Sequence, residues 1–203
     1  MPDPCYRASV RELLLGSAGR HSLAATLGRA LLLAILAVWA WRLARLPIGP
    51  AIADSFLHLV NLPFHEAGHL IFAPLGRFMS VLGGSLMQLL IPAVCAATLL
   101  VQTRDPFGAA CGTWWLGQNL LDLAPYISDA RALQLVLLGG RTGAEVEGHD
   151  WEFILQAMGW LHLDRTLGLA AHRLGVLVMV GALVWAGVVL VAQRRAGADG
   201  EGV

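Results

Sequence analysis

Residues 52–75 read IADSFLHLVNLPFHEAGHLIFAPL, and this mostly apolar stretch holds His65, Glu66 and His69 in the spacing H-E-x-x-H. Such a run is long enough for a helix to cross a bilayer, which takes about 20 residues. It is not one smooth lipid-facing helix, because Asp54, His58, Asn61, Pro63, His65, Glu66 and His69 interrupt it. Pro63 suits the first turn of a helix, where its missing N–H costs nothing. A fresh, motif-bearing helix is therefore expected from Pro63, with Asn61 or Leu62 near its cap and Pro74 helping to end it. Ionisable groups within a membrane are costly unless partnered, so three in five residues demand a partner. A metal ion supplies one directly.

The rest of the chain carries the same imbalance. Of 203 residues, 57% are hydrophobic and 14% charged, with a mean hydropathy of +0.64. A soluble domain has about a quarter of its residues charged. Too few charges remain here to cover an aqueous surface, so much of the surface must meet lipid. All 14 basic residues are Arg, balancing 14 acidic ones. No basic patch gathers them, which excludes nucleic acid as a partner. Cys5, Cys95 and Cys111 are far apart, and two lie in apolar runs, so they read as small core residues.

Five spans are expected, at 23–41, 52–75, 81–101, 108–127 and 174–192, which makes the fold an all-α, polytopic transmembrane bundle. The first run follows 22 mixed residues and lacks a small-residue cleavage pattern, so it reads as retained. A short helix is expected over 129–138, ending at Gly139-Gly140, and a polar loop over 139–165. The chain thus divides into a polar segment (1–22), one membrane-embedded domain (23–192) and a flexible tail (193–203). Five crossings put the termini on opposite sides, with nine arginines on the N-terminal side and five on the other. The positive-inside rule then favours a cytoplasmic N-terminus.

Residues four apart lie on one helix face, so His65 and His69 can both turn a ring nitrogen to one Zn2+. Glu66 sits one step around, placed to take a proton from water rather than to bind metal. His58 falls seven residues before His65 but across Pro63, and reads as a polar neighbour. Two histidines leave a catalytic zinc short of a third protein ligand. The candidates are Asp122, Asp129, His149 and Asp150. Depth within the fourth run favours Asp122, a mid-span carboxylate in need of a partner. Asp129 begins or caps the segment after Pro125, and Asp150 reads as the cap of a helix from Trp151. A sharper reading of Gly148-His149-Asp150-Trp151-Glu152 makes it a lid folded over the site.

Together these motifs make the chain resemble the site-2 protease family of intramembrane zinc metalloproteases. His65–His69 matches the family's first motif in full. Gly83-Gly84-Ser85-Leu86-Met87-Gln88 occupies the place of a G-P-x-x-N-like stretch, with Gln88 where Asn is usual. Asn119 opens a region similar to N-x-x-P-x-x-x-L-D-G, in which Asp129-Ala130 stands for the final Asp-Gly. The resemblance covers roughly residues 52–138. It implies one Zn2+ held by His65, His69 and Asp129, with Glu66 as catalytic base and Asn119 binding substrate or oxyanion. It also implies a multi-pass protein of a prokaryotic cell membrane whose substrate is a transmembrane segment of another membrane protein. Two rival readings are a non-proteolytic, helix-binding pseudoprotease that keeps the zinc, and a small metal transporter.

Overall fold

The computed structural model describes residues 9–16 and 22–199, so Cys5, most of the N-terminal segment and the last four residues of the tail lie outside the described residues. Among the described residues eight α-helices follow one another: α1 (Val10–Leu15), α2 (Leu23–Arg45), α3 (Pro50–Ala53), α4 (Phe56–Phe72), α5 (Arg77–Val101), α6 (Pro106–Ser128), α7 (Asp150–Ala157) and α8 (Asp164–Asp199). Among the described residues there is no strand, only an isolated bridge between Val136 and Thr142. The all-α expectation holds.

Among the described residues three helical stretches are long and apolar enough to cross a membrane: Leu23–Arg45, Arg77–Val101 and Leu161–Arg195. The other two expected spans differ for physical reasons. Helix α4 has only 17 residues. Helix α6 has 23, but it carries Gln118, Asn119 and Asp122, all buried against other helices. It forms the middle of the bundle, so its polar side chains meet protein.

Pro63 does not start the motif helix. Ser55 does, its side chain accepting the N–H of His58, and Pro63 lies inside the helix. The discontinuity falls at Asp54-Ser55, between α3 and α4. The helix expected over 129–138 is absent as well. The carboxylate of Asp129 accepts the N–H groups of Gln134 and Leu135 at 3.0 and 2.9 Å, and Leu133 turns to a positive φ of 55°. This local bonding competes with a helix and wins. Helix α8 begins ten residues before the expected span and continues to Asp199, so residues 193–199 of the expected tail are helical.

Arg29 near the start of α2 donates to Gln193 near the end of α8 at 2.7 Å, and reaches Asp105, between α5 and α6, at 3.4 Å. Those three chain positions share one end of the bundle. Helices α2 and α6 run one way, α5 and α8 the other. The ends of α2 and α8 that five crossings would separate therefore lie together. Arg42 and Arg45 at the end of α2 and Arg77 at the start of α5 lie towards the opposite end.

Close glycine crossings hold the helices. A methyl group on Gly117 of α6 would lie 2.8 Å from the carbonyl oxygen of Gly175 on α8, and one on Gly175 would lie 2.6 Å from that of Gly117. Small residues let apolar helices approach where lipid offers no hydrophobic drive. Gly117→Ala is expected to destabilise the bundle by about 1–3 kcal/mol, the usual cost of overpacking. Gly181→Ala, with no neighbour within 4 Å of the added methyl, should be neutral or stabilising by up to about 1 kcal/mol. Thermal unfolding of the two variants in detergent reads the contrast. Trp39 of α2 stacks on Trp114 of α6 at 6.4 Å, within a core that includes Leu36, Leu121 and Met179.

Candidate metal centre

Helix α4 lies against α5 at a second glycine crossing, where a methyl on Gly68 would come within 2.1 Å of the carbonyl oxygen of Gly83. That closeness brings the motif histidines onto the backbone and side chains of α5. The Nδ1 of His69 lies 2.9 Å from the carbonyl oxygen of Ser80, and the Nδ1 of His65 lies 3.0 Å from Oε1 of Gln88. Both neighbours can accept a proton carried on Nδ1, which leaves each Nε2 to face the carboxylate of Asp150, through a proton of its own or through a metal ion.

The two Nε2 atoms meet one carboxylate. Oδ2 of Asp150 stands 2.9 Å from Nε2 of His65 and 3.3 Å from Nε2 of His69. His65, His69 and Asp150 are the one group of three such side chains among the described residues whose ligand atoms converge within 4.8 Å. Two ring nitrogens and an anionic oxygen this close are held together by positive charge, carried by protons on the rings or by a metal ion between them. In a tetrahedral zinc site with bonds of about 2.0–2.2 Å, neighbouring ligand atoms stand about 3.3–3.6 Å apart. The donor set therefore fits a metal ion with little movement. Gly84 provides the floor, since a methyl there would lie 2.7 Å from both Nε2 atoms.

Asp150 reaches this position on α7, which the sharper lid reading had folded over the site. The backbone N–H of Asp150 donates to the hydroxyl of Tyr126 at 2.9 Å, and Trp151 donates its indole N–H to Ser85 at 3.2 Å. Arg77 at the start of α5 lies over the ring of Phe153. The cap of α7 is His149, one residue before the one expected, and its Nδ1 accepts the N–H of Glu152. Burial would raise the Asp150 carboxyl, but its hydrogen bonds with His65 and His69 outweigh this and hold it below the usual carboxylate range. A carboxylate that stays ionised is what a cation site needs.

The other expected residues fall elsewhere. Asp129, favoured as third ligand by the resemblance, is occupied by the backbone of Gln134 and Leu135 and faces His149, 3.5 Å away. His149 is buried and packs on Tyr126, ring centroids 4.3 Å apart, away from the histidine pair. Burial pushes its pKa down, against the pull of the Asp129 and Asp150 carboxylates. Asp122, the depth-based candidate, bonds His58, Asn61 and Gln88. Asn119 is fully buried, donating to the carbonyl of Trp115 while its Oδ1 finds no partner.

Glu66 stays outside the ligand group but lines the same cavity of about 480 Å³, together with His58, His65, His69, Tyr126 and Asp150. Leu135, Val136, Leu137 and Leu138 form an apolar wall. The sequence marks Gln88 only as standing where the resemblance has Asn, and does not mark Tyr126 at all. Tyr126 follows Pro125 near the end of a span, and nothing local in the sequence marks it as lining a site. No protein-family model, no curated protein and no solved structure matches this chain.

Proposed function

We propose that the protein is a zinc-dependent endopeptidase of the membrane, similar to site-2 proteases, that hydrolyses a peptide bond in or beside a transmembrane segment of another membrane protein. The observation that carries this reading is the convergence of His65, His69 and Asp150 beside a cavity that Glu66 also lines. A bound zinc ion supplies Lewis acidity and brings the pKa of water towards neutrality. Glu66 accepts the proton of the attacking water and returns it to the leaving amine. A purely structural metal has no use for a carboxylate so placed. Tyr126, whose oxygen accepts the N–H of Asp150, keeps its own proton to donate to the carbonyl oxygen as negative charge develops there. It takes the role first expected of Asn119. The apolar wall of Leu135–138 gives an extended, apolar substrate segment something to lie against. The three apolar helices fit a membrane location.

The test uses the full chain in zinc-containing proteoliposomes with a panel of membrane-spanning peptides. Glu66→Gln is expected to slow cleavage by roughly 10²–10⁴-fold, the usual worth of a general base, at unchanged zinc content. Cleavage or biological activity that survives Glu66→Gln intact would overturn the peptidase reading.

A further inference from the structure

Asp122 lies in the last third of α6 with its side chain fully buried, and the chemistry above gives it no part. Its Oδ2 accepts the Nδ2 of Asn61 at 3.0 Å and the Nε2 of Gln88 at 2.9 Å, while His58 Nδ1 stands 3.2 Å from both oxygens. Asn61 is itself locked in orientation. Its Oδ1 accepts the indole N–H of Trp115 at 2.9 Å, and its Nδ2 also donates to Gln118 at 2.9 Å.

The consequence falls on Gln88. A carboxylate accepts only donors, so the amide nitrogen of Gln88 must face Asp122 and its oxygen must face His65 Nδ1. The two histidines differ in this respect. His69 is oriented by the main-chain carbonyl of Ser80, which cannot turn over. His65 depends on a side-chain amide whose two ends are nearly the same shape. Were that amide reversed, its NH₂ would face Nδ1, the His65 proton would move to Nε2, and the nitrogen facing Asp150 would lose its lone pair. We infer that Asp122 is a positioning residue for the metal centre, setting the tautomer of His65 through the orientation of Gln88. This rests on the reading of His65, His69 and Asp150 as a metal site.

Co2+ binding to the detergent-purified full chain, read by chelator competition and by the visible absorption of the bound ion, tests the inference without reference to proteolysis. Asp122→Leu is expected to weaken Co2+ binding roughly 10–100-fold, the range for outer-shell partners of metal-bound histidine. Asp122→Asn keeps an oxygen where Asn61 and Gln88 both donate, and should bind within about threefold of the parent chain on that range. The decisive variant is the pair Gln88→Glu with Asp122→Leu. A carboxylate at position 88 has no wrong end, so it accepts from His65 without help, and binding should return towards the parent value. A role of Asp122 in packing alone predicts no such rescue. Should Asp122→Leu fail to fold, Gln88→Leu against Gln88→Glu in the Asp122→Asn background decides the same point, the first weak and the second strong. Unchanged binding in Asp122→Leu, or no rescue by Gln88→Glu, overturns the inference. A parent chain that binds no Co2+ removes it together with the metal site, whereas binding without peptide cleavage sinks only the peptidase proposal.

Discussion

Asp150→Ala is expected to leave the purified chain without zinc, although Asp122 and Asp129 both remain. The loss removes one of three converging ligands, so it should exceed the 10–100-fold that accompanies outer-shell changes. It also leaves the Nε2 atoms of His65 and His69 facing a gap. Asp129→Asn provides the contrast, because Asp129 is engaged with the N–H groups of Gln134 and Leu135. That variant should retain its metal while losing order in the segment before α7. Metal analysis per mole of chain, with chelator competition, reads both. Retention of zinc by Asp150→Ala together with loss in Asp129→Asn would return the third ligand to Asp129 and dismiss the site described above.

Gly84→Ala should have a comparable effect from the opposite direction. The added methyl would stand 2.7 Å from Nε2 of His65, and from Nε2 and Cε1 of His69, closer than side-chain atoms approach. On the proposed metal site those are the ligand atoms, so the methyl takes the space that they and an ion would need. Neither histidine can swing away without breaking its bond to Gln88 or Ser80. The expected outcome is a folded helical chain that binds no metal and cleaves nothing. Circular dichroism and metal content measured on one sample separate this from unfolding, and Gly181→Ala serves as the neutral control. A Gly84→Ala chain with a full complement of zinc would show that the floor of the site lies elsewhere.

The parts of this arrangement that were legible in the sequence are those set by short-range spacing. His65 and His69 share a helix face because four residues make about one turn, and the apolar runs at α2, α5 and α8 declare themselves by length. The third member of the cluster was not legible, because Asp150 lies 85 positions after His65 and reaches it only through the docking of α7 on α5 and α6. Its own neighbourhood, Gly148-His149-Asp150-Trp151, spells a helix cap, and a cap does stand there in the form of His149. Asp129 drew the assignment because it follows a proline in a motif-like stretch, but the turn it stabilises uses both of its oxygens. Helix α6 was read as a span by length, whereas its polar residues serve the middle of the bundle. Pro63 misled for a related reason. Ser55 had already begun the helix, and the missing proline donor removes one bond from a ladder that neighbouring helices support.

The separation of the ligands along the chain has a consequence for synthesis. His65 and His69 leave the ribosome with α4, but Asp150 arrives only after α5, α6 and the turn at Asp129 have been made. Until then the histidine pair is a two-ligand site of low affinity, and ion capture is coupled to the seating of α7. A chain still being inserted therefore cannot bring all three side chains of the cluster together before α7 is seated.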